Sequence, residues 1–149
     1  MANLPMLATA HAKVGQVEEG LSVVAEALAF VDKTGERFYE AELYRLKGEL
    51  TLKQFGVRSS ESPTSYTQAE AEAEACFQKA IEVARRQSAK SLELRAVMSL
   101  SRLWQQQGKK AEAQQVLAKI YDWFTEGFDT KDLQEAKVLL NALEGRATR

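Results

Sequence analysis

The chain has 149 residues, with 20 basic against 21 acidic side chains and a net charge of −1; the length suits one domain with a buried core, and the charge argues against a nucleic-acid or polyanion binder, which would show a basic excess. It holds 22 Ala and 17 Leu but only 10 Val, 2 Ile and 2 Pro; Ala and Leu head the helix scale while strands favour β-branched residues, so the census excludes a sheet and predicts an all-α fold. With 28% charged and 45% hydrophobic residues the chain is globular in composition, and its longest apolar runs, such as Ala27–Val31, fall far short of the ~20 residues that cross a bilayer.

Apolar residues at 3.6-residue spacing, punctuated by breakers, predict seven helices. The first spans 3–14 and closes at Gly15. The second, 17–33, carries Val17, Leu21, Val24, Leu28 and Val31 on one stripe and stops at Thr34-Gly35. The third, 36–54, places Phe38, Leu43, Leu46 and Leu50 on one face and ends near Phe55-Gly56. Arg58–Thr67 (RSSESPTSYT), with Pro63 and four serines, has the composition of a loop. The fourth helix, 68–88, follows with Ala73, Phe77, Ala80, Ile81 and Ala84. The fifth, 91–107, carries Leu92, Ala96, Leu100, Leu103 and Trp104 and ends at Gly108. The sixth, 109–125, has Ala113, Leu117, Ile120 and Phe124. The seventh, 130–143, has Leu133, Ala136, Leu140 and Leu143, with Asp129 or Thr130 expected to cap its N-terminus by accepting a free backbone N–H.

These helices recur as three pairs and an unpaired last helix. Gly15 and Gly108 sit in the turn inside a pair, and five residues after each comes a small residue, Gly20 or Ala113, where the second helix approaches the first too closely for a larger side chain. Seven residues further stand Ala27 and Ile120; the middle pair supplies Ala73, Phe77 and Ala80. The expected domain is 1–145, with repeats over 1–35, 36–88 and 89–125, a capping helix over 130–143 that closes the open end of a stack, and a frayed tail at 146–149.

This pattern resembles the tetratricopeptide repeat, whose unit places apolar, Leu, small and aromatic residues on its first helix, a turn-former between helices, and Ala, apolar and Ala on its second. The first unit offers Leu4, Leu7, Ala8, His11, Gly15, Gly20, Val24 and Ala27; the third offers Val97, Leu100, Ser101, Trp104, Gly108, Ala113, Leu117 and Ile120. The second offers Leu43, Leu46 and Leu50, then Ala73, Phe77 and Ala80. The spacings depart from the family: Ala27 to Ala80 is 53 residues and Ala80 to Ile120 is 40, against about 34 in the standard unit, and the unit-ending prolines are replaced by Asp32, Arg85 and Thr125. Long units of this kind, and the run from Ala75 to Leu143, look like the C-terminal helical region of bacterial signalling ATPases and cyclase-fused regulators.

The resemblance implies a right-handed stack of antiparallel helix pairs whose concave face is lined by the first helix of each pair. Carried over position by position, the groove residues are Thr9 and Lys13, then Tyr44, then Arg95, Met98, Arg102 and Gln105. Arg95 and Arg102 are seven apart on one helical face with Met98 between them, a combination suited to an acidic, partly apolar peptide. The implied function is a non-catalytic protein-interaction or scaffold module, the regulatory part of a bacterial signalling system, binding a peptide or a neighbouring domain of its own parent protein. A small-molecule sensor and a homodimerising scaffold are the alternatives.

Side-chain chemistry points the same way. One cysteine, Cys76, excludes an intramolecular disulfide, and one histidine, His11, gives no histidine-based metal centre, so neither a metal nor another cofactor is expected. His11 stands where the repeat wants a packing aromatic, and Cys76 lies beside Phe77 as a small hydrophobe. Glu70, Glu72 and Glu74 read as solvated helix surface. No phosphate-cradling glycine loop followed by Lys-Ser/Thr occurs, and no enzymatic activity is expected. Tyr121, Trp123, Phe124 and Phe128 are expected to seal the junction with the last helix, unless Trp123 serves as an exposed anchor for a partner. No secretory leader is recognised at Met1–Pro5, so a cytoplasmic location is expected, with no membrane and no nucleic-acid partner.

Overall fold

The structure, a computed structural model, describes the backbone of residues 17–57 and 63–145 and the side chains of 17–54 and 68–145. These residues form six helices and no strand: α1 Val17–Thr34, α2 Glu40–Val57, α3 Pro63–Arg86, α4 Lys90–Gln106, α5 Lys110–Tyr121 and α6 Lys131–Leu143. The expected helix over 3–14, the Gly15 turn, His11, Thr9 and Lys13 lie outside the described residues, as do 58–62 and the tail at 146–149. Among the described residues, no helix is long and apolar enough to cross a membrane.

Several predicted boundaries move. α3 opens at Pro63, so 63–67 is helix and not loop; proline suits a first helical turn, where its missing N–H would have had no partner and its φ is already helical. α2 starts at Glu40 rather than 36, because Phe38 and Tyr39 form a turn ahead of it. Phe38, expected on the buried face, is therefore 76% exposed, its ring edge-on to Tyr39. The sixth predicted helix ends at Tyr121, four residues early, and 122–130 is a connecting segment. Thr130 does occupy the N-cap of α6, but it makes no side-chain cap; its hydroxyl donates to the Gly127 carbonyl at 2.7 Å.

Each helix packs on the next in chain order, and α2 also meets α4, as α4 meets α6. Among the described residues α1 does not meet α3, nor α3 meet α5. Among the described residues, α4 thus meets both of the other even-numbered helices, while no two odd-numbered helices meet. The reason lies in which stripes are apolar. Val17, Val24, Ala27 and Val31 of α1 pack on Leu43, Leu46 and Leu50 of α2. A larger core runs from Phe77 and Ile81 of α3 through Val97, Leu100 and Leu103 of α4 to Leu117 of α5 and Leu133 and Leu140 of α6. Ala41 of α2 meets Val83 and Ala84 of α3 in a smaller cluster. The small residues expected at close approaches, Gly20, Ala73 and Ala113, are all buried.

The turns after α3 and α4 share one hydrogen-bond pattern. Ala89 N–H donates to the Ala84 carbonyl at 2.9 Å, and Lys109 N–H donates to the Trp104 carbonyl at 2.8 Å, each reaching back five residues. Such a helix ending requires a left-handed residue. Gly108 supplies it in the second turn with φ of +81°, while Ser88 supplies it in the first with φ of +55°.

Candidate functional site

The side chains that face one another across α2, α4 and α6 are charged, and their spacing along each helix explains why. Glu42 and Arg45 are three apart on α2, Arg95 and Arg102 seven apart on α4, and Asp132 and Glu135 three apart on α6, so each set shares one helical face. Arg45 grips Glu42 through two hydrogen bonds of 2.8 Å, from Nε to Oε1 and from Nη2 to Oε2. Arg95 Nη1 donates to the same Glu42 Oε2 at 3.2 Å, and its Nε donates to Asp132 Oδ2 at 2.9 Å. One arginine of α4 therefore ties α2 to α6. Arg45 Nη1 also reaches Ser99 Oγ at 3.5 Å.

Burial sets the strength of this network. The side chains of Arg45 and Glu42 are 18% and 11% exposed. Burial pushes the Arg45 guanidinium towards losing its proton, but the hydrogen bonds and charge of Glu42 outweigh it and hold the pKa above its ordinary value. Arg95 is more open to solvent; its hydrogen bond with Asp132, against a smaller opposing effect of burial and with help from Glu42, also raises its pKa. Both guanidinium groups stay charged and saturated by carboxylates.

Further along α4 the pairing loosens. Arg102 Nη2 lies 3.7 Å from Glu135 Oε2, and Lys131 Nζ lies 3.9 Å from Glu135 Oε1. Two cations thus share one carboxylate at distances beyond good hydrogen bonds. They stand at the rim of a cleft of about 630 Å³ between α4 and α6, with Gln105 beside them and Val138, Leu139 and Ala142 as its apolar wall.

Of the residues that the family pattern assigns to the groove, the structure brings Arg102 and Gln105 together at this cleft. Arg95 lies on the same face but is already engaged by two carboxylates. Met98 is 2% exposed and belongs to the core beneath. Tyr44 is turned elsewhere: at about 100° per residue it stands roughly 160° around the helix from Glu42 and roughly 100° from Arg45. Burial, then the charges of Glu40 and Asp32, push its phenol pKa up, and it packs against the α3–α6 core. Lys131, Glu135, Glu42, Arg45 and Asp132 were not singled out by the sequence. No sequence signal marks the Glu42–Arg95 pair: the two lie 53 residues apart on different helices, and only the packing of α2 on α4 brings them together.

Other polar groups serve the framework. Glu93, 4% exposed, accepts from Arg85 at 3.0 Å and Lys90 at 3.3 Å, fastening the end of α3 to the start of α4. Trp104 Nε1 donates to Glu74 Oε1 at 3.0 Å, so Glu74, expected with Glu70 and Glu72 as solvated surface, is a structural acceptor. Burial pushes the Cys76 thiol pKa up, against an opposing effect of Lys47, which makes it a poor nucleophile. Around the connection to α6, Tyr121 and Phe128 rings lie 5.8 Å apart, but Phe128 and Trp123 are exposed, Trp123 by 57%. Lys90 Nζ lies 5.5 Å from the centre of the Trp123 ring. Among the described residues no three His, Cys, Asp or Glu side chains converge as a metal site. In comparisons with known proteins, no family model matches the chain and no curated protein is significantly similar to it.

Proposed function

We propose that the chain is a tetratricopeptide-like interaction module, without catalysis of its own, that holds an acidic, partly apolar protein segment in the cleft between α4 and α6. The observation that carries this reading is the imbalance at the cleft rim: Arg102 and Lys131 share the single carboxylate of Glu135 at 3.7 and 3.9 Å. An incoming Asp or Glu side chain would complete what Glu135 supplies loosely, and charge-assisted bonds of this kind are among the strong ones. Val138, Leu139 and Ala142 offer the apolar contact next to it. Arg95 contributes by bracing α2 and α6 on either side of α4 rather than by binding.

Support for the repeat reading comes from α4 meeting both α2 and α6 while, among the described residues, no two odd-numbered helices meet, as expected if the even helices line the inner side of a curved stack. The partner segment belongs to a neighbouring domain of a larger bacterial signalling protein or to a separate chain in the cytoplasm. The cleft, at about 630 Å³, is also of a size that takes small ligands, and a metabolite sensor is the second reading.

Selection from a displayed peptide library tests both. The wild-type chain is expected to enrich peptides combining Asp or Glu with an apolar residue, and Arg102→Glu to lose that enrichment while keeping its helical content. Identical peptides selected by both proteins would remove the cleft from consideration. A thermal shift with a metabolite, in a chain that selects no peptide, would favour the sensor.

A further inference from the structure

Glu135 of α6 lines the same cleft as Arg102 and Lys131, and helical spacing puts it there. Lys131 lies one turn before it on α6, and Arg102 reaches it from α4. Its carboxylate therefore stands where the acidic side chain of a bound segment would have to stand. Both of its ion pairs are weak. At 3.7 and 3.9 Å they are longer than charge-assisted hydrogen bonds. The side chains of Arg102 and Glu135 are 45% and 42% exposed, and contacts so open to water contribute little.

Arg95, about two turns earlier on α4, is the contrasting case. Asp132 and Glu42 hold it at 2.9 and 3.2 Å, and both carboxylates are more withdrawn from water than that of Glu135. An incoming carboxylate gains nothing at Arg95 without breaking those bonds. At Arg102 it has Glu135 to displace, and a half-exposed glutamate turns out to solvent without leaving a buried charge unpaired. Two carboxylates placed together between Arg102 and Lys131 repel each other, so entry of one requires departure of the other. A neutral amide of the same shape cannot replace the departing charge, and Glu135 then keeps its place.

We infer that Glu135 is an internal competitor of the cleft: its carboxylate occupies Arg102 and Lys131 while the cleft is empty and turns out to solvent when an acidic side chain of a partner enters. Glu135 thereby sets both the strength of binding and the preference for a carboxylate over an amide. The inference rests on the acidic-segment reading of the cleft and adds to it the group that restrains binding there.

Fluorescence anisotropy of the full chain with two labelled peptides is the test, with circular dichroism on every variant. One peptide is the acidic sequence most enriched from the displayed library by the wild type or by Glu135→Gln. The other is its counterpart with Asn and Gln in place of Asp and Glu. Glu135→Gln is expected to bind the acidic peptide about tenfold more tightly than the wild type does and to leave binding of the amide peptide unchanged. In an Arg102→Gln background the gain from Glu135→Gln should shrink to about threefold or less, because the two residues act on one another. Equal or weaker binding of the acidic peptide by Glu135→Gln overturns the inference and leaves the cleft as a binding site. A gain shared equally by the amide peptide, or one undiminished by Arg102→Gln, overturns it too. If neither the wild type nor Glu135→Gln enriches an acidic peptide, the inference falls together with the acidic-segment reading.

Discussion

The ring of Phe77 in α3 lies directly against the backbone of Gly48 in α2: a Cβ placed on Gly48 would stand 2.5 Å from Phe77 Cε1. Phe77 is fully buried, so the ring has nowhere to withdraw. Gly48→Ala is expected to destabilise the chain by up to about 2 kcal/mol, the overpacking cost of about 1–3 kcal/mol less the ~1 kcal/mol that alanine gains in a helix. Urea denaturation measures the loss. A double-mutant cycle with Phe77→Leu should show strong coupling, because the shorter side chain frees the space.

The Glu42–Arg45 pair is the part of the ionic network most withdrawn from water. Glu42→Ala strands the buried Arg45 guanidinium and takes one carboxylate from Arg95, at an expected cost of about 2–3 kcal/mol. Asp132→Ala leaves the more exposed Arg95 with Glu42 still in reach, and should cost less than ~1 kcal/mol. Equal losses for the two variants in denaturant titrations would refute this ordering.

Ser88 holds a left-handed conformation with φ of +55° in a turn whose counterpart after α4 uses Gly108. Ser88→Gly should relieve that strain and stabilise the chain by about 0.5–1 kcal/mol. Gly108→Ser should destabilise by a similar amount. Both are read from the midpoint of thermal unfolding at fixed pH.

Tyr44 and Cys76 both have pKa values raised by burial, so the fold favours their neutral, protonated forms. That contribution is complete below the ordinary values, about 8.5 for a thiol and about 10 for a phenol, and is lost as the pH rises through each raised folded value. Stability should therefore fall on the alkaline side. Denaturant titrations between neutral pH and pH ~11 should show a shallower fall for Tyr44→Phe/Cys76→Ala than for the wild type. Cys76 should also be alkylated more slowly in the folded chain than in the unfolded one.

The two tryptophans report different environments. Trp123 is 57% exposed, whereas Trp104 packs against the core with its indole N–H bound to Glu74. Acrylamide quenching should resolve an accessible and a protected component, and Trp123→Phe should remove the accessible one. Loss of the protected component instead would reverse the assignment.

Helix type and the facing of the long stripes were legible in the residues, because periodicity of Leu, Val and Ala is a local property that tertiary contact reinforces. Val24, Leu50, Phe77, Leu100 and Leu117 are all buried as their spacing requires. Boundaries were less legible. Pro63 looks like a breaker among serines yet opens α3, because the same ring that forbids an interior position suits a first turn. Phe38 fits the apolar stripe of α2, but the turn at Phe38-Tyr39 lifts it out into solvent. Gly48, passed over within a helical pattern, carried the usual signal of a close approach, but which side chain fills that space is known only once α3 lies against α2.

By itself, then, the sequence determined an all-helical chain, its apolar stripes and the charges on the opposite faces, since each follows from neighbours one or two turns away. Only the tertiary structure decided which charges meet. Arg95 and Arg102 look alike in the sequence, seven residues apart on one face. Packing of α2, α4 and α6 gives Arg95 carboxylates at 3.2 and 2.9 Å and leaves Arg102 with one at 3.7 Å. The difference between a brace and a binding group is a matter of these distances, because the strength of an ion pair depends on separation and burial, and neither is a property of the residue alone.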